Sequence, residues 1–310
     1  MQALLAAPDV AGGIRFADVP EPVPSPHQVL VDVRHASVNS GEVRHLELQP
    51  AGAVLGYDAA GYVVRTAEDG TGPGVGERVV AFGIGAWGRR AVFGTDSVAV
   101  VPASLDLAAA AALPLVGMTA LRTLRAVGSV LGRRVLVTGA AGGVGRLAVQ
   151  LARLGGAHVI ASVGSARRVD GLAALGADEV VVGLDAVDAP VDVIIENVGG
   201  AHLVTAWGLL KPGGSLQSVG WVSGEPAVFP PNSIFALGPA KTLQSFGDAS
   251  NPGPDLAVLV DLAARGTIKP EVGWRGSWER IGDAIQALIG RKVAGKVVID
   301  LDDTAGSHPR

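Results

Sequence analysis

Arg134-Val-Leu-Val-Thr138-Gly139-Ala-Ala-Gly142-Gly143-Val144-Gly145 runs from an apolar strand straight into a helix, with its glycines bunched at the turn. The strand half shows no alternation, as expected where both faces of a parallel sheet are covered. The helical half continues with Leu147, Ala148, Leu151 and Leu154 on the same face as Val144, and Gly155 supplies a stop. A turn that leaves a strand sharply, brings backbone against a pyrophosphate and then lets a helix pack on the sheet needs residues without Cβ at three points. Gly139, Gly142 and Gly145 are those points. The helix start at Gly143, Val144 and Gly145 offers free N–H groups and partial positive charge to phosphates. This pattern predicts a dinucleotide site, the alternative being a tight turn with no ligand.

Further apolar strands follow at 158–162, 179–182, 192–195, 215–219 and 242–246. Six strands with intervening helices predict a doubly wound α/β sheet. Upstream, residues 1–105 read as short strands broken by turns, at 1–7, 13–17, 29–33, 60–65, 78–82 and 98–101. Pro20, Pro22, Pro24 and Pro26 exclude regular helix or central strand between the second and third of these. Residues 107–113 and 119–127 read as helices separated at Pro114. Downstream, helices at 255–265 and toward Ile289 precede a last strand at 295–300, and the tail from Leu301 reads as frayed.

The chain has 310 residues, 44 of them Gly and 19 Pro, with 48% hydrophobic and 17% charged residues. That length suggests two domains and an extensive core that needs no disulfide or structural metal. The absence of Cys excludes disulfides, thiolate chemistry and Cys-ligated zinc. A net charge of −4 argues against a nucleic-acid partner. The most apolar run, 107–121, is shorter than the roughly 20 residues of a membrane span and contains Pro114. No membrane segment and no secretory signal is expected, which leaves a cytoplasmic address by default.

After the second strand of the sheet comes Ser162-Val-Gly-Ser165-Ala-Arg167-Arg168, with no carboxylate before Asp170. The acid that would grip the ribose of NAD, or of a methyltransferase cofactor, is missing there. The hydroxyls of Ser162 and Ser165 and the guanidinium groups of Arg167 and Arg168 suit a 2′-phosphate, so the expected cofactor is NADPH. The alternative is that the two arginines are solvated helix-face residues.

With these residues in view, the chain resembles the zinc-independent quinone oxidoreductase branch of the medium-chain dehydrogenase/reductase superfamily. The resemblance covers nearly the whole chain. Its marks are Ala36-Ser-Val-Asn39, Gly56-Tyr57-Asp58-Ala-Ala-Gly61, Gly76-Glu-Arg78-Val79, Ala112-Leu-Pro114-Leu-Val-Gly117-Met-Thr119-Ala120 and the glycine turn. Leu175-Gly-Ala177, Asn197-Val-Gly-Gly200, Lys211-Pro-Gly-Gly214 and Gly295-Lys296-Val-Val follow in order.

The resemblance implies a GroES-like β-barrel catalytic domain, 1–112 and 249–310, and a Rossmann NADPH-binding domain, 113–248, which enclose a cleft. Zinc-dependent relatives carry Cys where this chain has Asn39 and His where it has Tyr57, so no metal is expected. His27, His35, His45, His158, His202 and His308 lack ligand spacing and read as structural or surface residues. The resemblance gives Asn39 and Thr119 orienting roles near the nicotinamide ribose, and makes Asp58 structural. Tyr57 is a candidate proton donor or carbonyl partner, or else an aromatic wall. Asn197, Gly199 and Gly220 follow the fourth and fifth strands, where the switch point holds the nicotinamide end. Arg291 matches a position from which relatives reach the adenosine phosphate, with a surface arginine as the alternative.

The segment 42–54 lacks the aromatic loop that walls the pocket in many quinone reductases, and Gly183 stands where relatives often place a Tyr against adenine. The expected activity is hydride transfer from NADPH to a quinone or an α,β-unsaturated carbonyl, without metal. The alternative is a sensor or structural protein that binds NADPH without turnover. The apolar edge at 242–246 predicts a homodimer.

Overall fold

The computed structural model describes residues 1–235 and 237–301, so residues 302–310 of the expected frayed tail, His308 among them, lie outside the described residues, whereas Leu301 is fully buried and donates its N–H to Arg34 O at 2.9 Å. The chain divides into two compact units. One comprises Met1–Met118 and the described residues from Ser250 onward; the other is Thr119–Ala249.

The first unit opens with the antiparallel pair β1 (Gln2–Ala6) and β2 (Ile14–Asp18). It continues through β3 (Gln28–Val38), the short helix α1 (Ser40–Arg44), β4 (Asp58–Arg65), β5 (Arg78–Phe82), β6 (Arg90–Gly94) and β7 (Val98–Val100). Helices α2 (Leu107–Ala111) and α3 (Pro114–Ala126) follow, Pro114 standing at the start of its helix, where the missing N–H costs nothing. Strand β6, which pairs with β3, was not expected from the sequence.

The sheet of this unit is completed by the far end of the chain. Helix α6 (Gly253–Ala264) leads to strand β14 (Val272–Ser277), then α7 (Ile281–Ile289) and β15 (Lys296–Asp300). Strand β15 pairs antiparallel with β3, giving the order β14-β15-β3-β4-β5-β7. Val29, Val31, Val79, Trp87, Phe93 and Val297 are among the side chains its core buries.

The second unit is a parallel sheet of β8 (Arg134–Val137), β9 (His158–Val163), β10 (Glu179–Val182), β11 (Val191–Glu196), β12 (Leu210–Ser218) and β13 (Thr242–Ser245). Its order, β10-β9-β8-β11-β12-β13, places the switch between β8 and β11. Helix α4 (Gly143–Leu154) joins β8 to β9, and α5 (Gly200–Leu209) joins β11 to β12. These are the only α-helices between described strands of this sheet, fewer than the alternation expected from the sequence. The β9–β10 connection carries only a 3-10 turn, Ala166–Arg168, and Gly171 and Gly176 have φ of 80° and 105°. Helix α4 is buried on more than one face: Leu147, Ala148 and Leu151 are covered, and so are Val149 and Ala152. Leu154, expected on the buried face, is 53% exposed in the last turn.

Candidate cofactor turn and buried acid site

The glycine turn takes the shape that its composition predicts. Gly139 has φ of 57°, and its carbonyl accepts the Gly142 N–H at 2.9 Å. Gly142 is the N-cap of α4 and offers no side-chain cap. Arg146 donates the first backbone N–H to bond back, to Gly142 O at 3.0 Å, so those of Gly143, Val144 and Gly145 have no acceptor among the described residues. A Cβ on Gly145 would lie 2.6 Å from Ala140 Cα and from Gly139 O, so this glycine seats the helix on the turn. A Cβ on Gly142 would meet only Gly139 O within 4 Å, at 3.3 Å. Orphan N–H groups at the positive end of a twelve-residue helix, approachable at backbone level, fit a diphosphate.

Beside the turn, the end of β11 is polar. Thr138 Oγ1 donates to Glu196 Oε1 at 2.9 Å, and Asn197 donates its N–H to Thr138 Oγ1 and its Nδ2 to Thr138 O. Glu196 is fully buried and also accepts the N–H groups of Val198 and Gly199, which fixes the turn that leads into α5. Asn197 therefore ties β8 to β11. Gly199, with φ of 75°, leaves room for the Trp221 ring, which a Cβ would meet at 2.6 Å. A Cβ on Gly220 would lie 2.8 Å from Asn197 O. Glu196 went unnoticed in the sequence; its signal is a charged residue closing an apolar strand.

At the end of β9, Ser162 is buried and its hydroxyl donates to Gly183 O at 3.1 Å. Ser165 is half-buried at the N-cap of the 3-10 turn that carries Arg167, exposed, and Arg168, half-buried. Thr119 is buried in α3, its carbonyl accepting Thr123 Oγ1 at 2.8 Å. Arg291 belongs to the first unit; it is exposed just after α7 with φ of 54°.

In the first unit, the residues expected at the reacting centre fall into a buried polar cluster. Asp58, at the start of β4, is fully buried. Its Oδ2 accepts from Ser37 Oγ at 2.6 Å, Asn39 Nδ2 at 2.9 Å and Lys296 Nζ at 3.3 Å, and its Oδ1 accepts the Leu115 N–H at 3.0 Å. Lys296 Nζ also donates to Asn39 Oδ1. Asn39 donates both its N–H and its Nδ2 to Glu42 Oε2, each at 2.7 Å. The cluster thus holds two carboxyl groups against one ammonium. Burial, and then the charge of Asp58, push the Glu42 carboxyl up to about 8, against the opposing pull of Lys296 and Asn39.

Tyr57 follows Gly56, whose φ of 93° brings backbone against Trp87; a Cβ there would lie 2.2 Å from the indole. The Tyr57 ring sits 6.0 Å from that of Phe82, and its hydroxyl has no hydrogen bond among the described residues. A small recess with room for about one water molecule is lined by Glu42, Leu46, Gln49, Tyr57, Ile84 and Trp87.

Each of the five described histidines stands within 4.0 Å of a carboxylate: His27 by Asp69, His35 by Asp300, His45 by Glu47, His158 by Glu179 and His202 by Glu196. Among the described residues no group of three or more His, Asp or Glu side chains is arranged to hold a metal ion. No described helix is long and apolar enough to cross a membrane.

A mostly antiparallel sheet that takes in the far end of the chain, next in sequence to a six-stranded parallel sheet, defines a two-domain GroES-like and Rossmann-type architecture. Residues 25–104 match the alcohol dehydrogenase GroES-like domain family, and residues 143–260 match the zinc-binding dehydrogenase family. The chain belongs to the medium-chain dehydrogenase/reductase superfamily, in its quinone oxidoreductase branch.

It is 29% identical over 316 residues to the chloroplastic quinone-oxidoreductase QR1 of Triphysaria versicolor, covering 94% of each chain. It is likewise 29% identical to the 2-methylene-furan-3-one reductase of Solanum lycopersicum, over 88% of this chain and 71% of that one. A mycobacterial protein solved as a complex with NADPH superposes with a TM-score of 0.88 at 25% identity, over 97% of this chain and 100% of the other. The chain also aligns at 30% identity with 8% of the pikromycin polyketide synthase component PikAII of Streptomyces venezuelae.

Proposed function

We propose that this oxidoreductase uses NADPH to reduce a quinone or an α,β-unsaturated carbonyl without a metal ion. The observation that carries the reading is the uncapped start of α4, where Gly143, Val144 and Gly145 point unpaired N–H groups out of a turn built of glycine. These groups hold the pyrophosphate. Ser165, Arg167 and Arg168, with the Ser162 hydroxyl oxygen as an acceptor, bind the 2′-phosphate and its ribose, and Arg291 adds charge toward the adenosine phosphate. Asn197, Gly199 and Gly220 shape the backbone at the nicotinamide end, and Thr119 orients it. When bound, NADPH supplies a hydride.

Asn39, held rigidly between Glu42, Asp58 and Lys296, orients the reacting end. Tyr57 offers its free hydroxyl to a carbonyl oxygen. Metal independence is supported by a sequence without Cys and by Asn39 and Tyr57 at the positions the resemblance marks for ligands. A homodimer is supported by β13, an exposed edge strand bonded to β12, with Phe235 and Leu237 exposed nearby. A light-scattering mass of one chain would remove the dimer.

Spectrophotometric consumption of NADPH and NADH with a panel of quinones and enones tests the reading. The expected result is turnover with NADPH preferred, and loss of that preference in Arg167→Glu/Arg168→Glu. Binding of NADPH without consumption would leave a protein that senses the dinucleotide but performs no reduction.

A further inference from the structure

A dinucleotide phosphorylated at the ribose 2′ position carries that phosphate and its diphosphate on the same sugar ring, so a protein that grips both must hold two anion sites at a fixed spacing. In the nucleotide unit the two grips lie on different elements. The diphosphate grip is the start of α4, and the second is the turn Ser165–Arg168 after β9. The second turn holds itself by few bonds: Arg168 donates its N–H to Ser165 O at 3.0 Å, and Val169 donates its own to Ala166 O at 3.4 Å. Two further bonds bracket it and tie it to the glycine turn and its helix. On the near side the Ala140 N–H donates to Ser162 O at 3.0 Å. On the far side Arg146, in the first turn of α4, donates Nη2 to Asp170 O at 2.7 Å.

Arg146 is only 6% exposed, and its own N–H is bonded back to Gly142 O. Its guanidinium lies against the backbone of the loop, since a Cβ on Gly171 would lie 3.2 Å from Nη1. A cation in the first turn of a helix opposes the helix dipole, and burial adds a desolvation cost. An anion held at the same helix end offsets the first of these. From this arrangement we infer that Arg146 is a positioning residue that sets the preference for a ribose 2′-phosphate, by fixing Ser165–Arg168 at a set distance from the diphosphate grip.

Selectivity by this route rests on the NADPH reading. Ser165, Arg167 and Arg168 supply the hydrogen bonds and charge, but side chains on an untethered turn discriminate poorly, because the entropy cost of ordering them is met only when the ligand binds. With the turn tied at both ends, that ordering is done beforehand. NADH engages the start of α4 and has no phosphate for the second grip, so loss of the tie falls mainly on NADPH. A residue that merely stabilised the fold would weaken both dinucleotides by one factor.

Two readouts on the full chain test this. Kd values for NADPH and NADH, measured by nicotinamide fluorescence, report the preference, and amide hydrogen exchange of the ligand-free protein reports the tie. Arg146→Met keeps an apolar stem and removes the donors. In this variant the Kd for NADPH should rise about tenfold more than the Kd for NADH. Exchange at the Arg168, Val169 and Leu172 amides should quicken about tenfold, while the 147–152 amides of α4 stay protected. Arg146→Lys, which keeps a charged donor, should regain part of both effects. Should Arg146→Met fail to fold, Arg146→Gln, with a shorter neutral side chain, carries the same comparison. Equal losses of affinity for the two dinucleotides, or exchange at the wild-type rate, would overturn the inference. A wild type that binds NADH as tightly as NADPH would instead remove the NADPH reading, and the exchange measurement would still decide whether Arg146 holds the turn.

Discussion

Gly145→Ala isolates the point at which the glycine turn and its helix touch. The new Cβ would lie 2.6 Å from Ala140 Cα and Gly139 O and 2.8 Å from Ala140 C, all backbone atoms that cannot rotate away. Ordinary contact begins near 3.4 Å, so the helix start must withdraw by roughly 0.8 Å. Overpacking of this kind costs about 1–3 kcal/mol, and the better helix propensity of Ala returns up to about 1 kcal/mol near a helix end. The net destabilisation is about 1–2 kcal/mol, equivalent to a Tm lower by about 2–8 °C. The effect on ligand binding is larger than the effect on the fold. An N–H to phosphate distance of about 2.9 Å lengthened by the same displacement leaves hydrogen-bond range, and each such charge-assisted bond is worth about 1.5–3 kcal/mol. The Kd for NADPH, measured by fluorescence titration, should rise at least tenfold. Gly164→Ala is the control, since nothing lies within 4 Å of its Cβ position, and its Tm should stay at the wild-type value. A Gly145→Ala protein with wild-type Tm and Kd would refute the packing argument.

Lys296→Met removes the only cation that faces the buried Asp58 carboxylate among the described residues and should cost about 3–5 kcal/mol in urea unfolding; adding Asp58→Asn should recover part of that loss. Glu42, whose folded pKa is raised from 4.5 to about 8, contributes stability that is complete below about pH 4.5 and is lost as pH rises through 8. The unfolding free energy of the wild type should therefore fall by up to a few kcal/mol across that window, and the Glu42→Gln curve should lack this slope. Asp69 is held at about 2, first by the hydrogen bond from His27 and then by Thr71. Its contribution is present above its ordinary value of 3.8 and fades as pH falls toward 2. His27→Ala should move its carboxyl resonance titration up toward 3.8 by NMR.

The nucleotide unit was largely legible because its information is local. A strand, a glycine turn and an amphipathic helix are contiguous at 134–154, and five more apolar strands follow in sequence. Where tertiary context overrides local pattern, the sequence misled. The 169–176 segment carries helix-forming residues, yet Gly171 and Gly176 adopt φ values that end helices. Strand β14 contains Gly273 and Gly276, and its close approach to Ala294 rather than its strand propensity explains Gly273, whose Cβ would lie 2.0 Å from Ala294 O. Asn39 was identified through resemblance, but its partners were hidden. Lys296 stands 257 residues away, and only the pairing of β15 with β3 brings the two together. Glu42 had one local signal, the Asn-x-x-Glu spacing of a capping box, and its carboxylate does reach back to the Asn39 N–H.

A crystal structure of the chain soaked with NADPH is the most direct test of the dinucleotide assignment. The diphosphate oxygens should lie within about 3.2 Å of the N–H groups of Gly143, Val144 and Gly145, with the 2′-phosphate against Ser165, Arg167 and Arg168. NADPH seated elsewhere, or none at saturating concentration, would contradict the account.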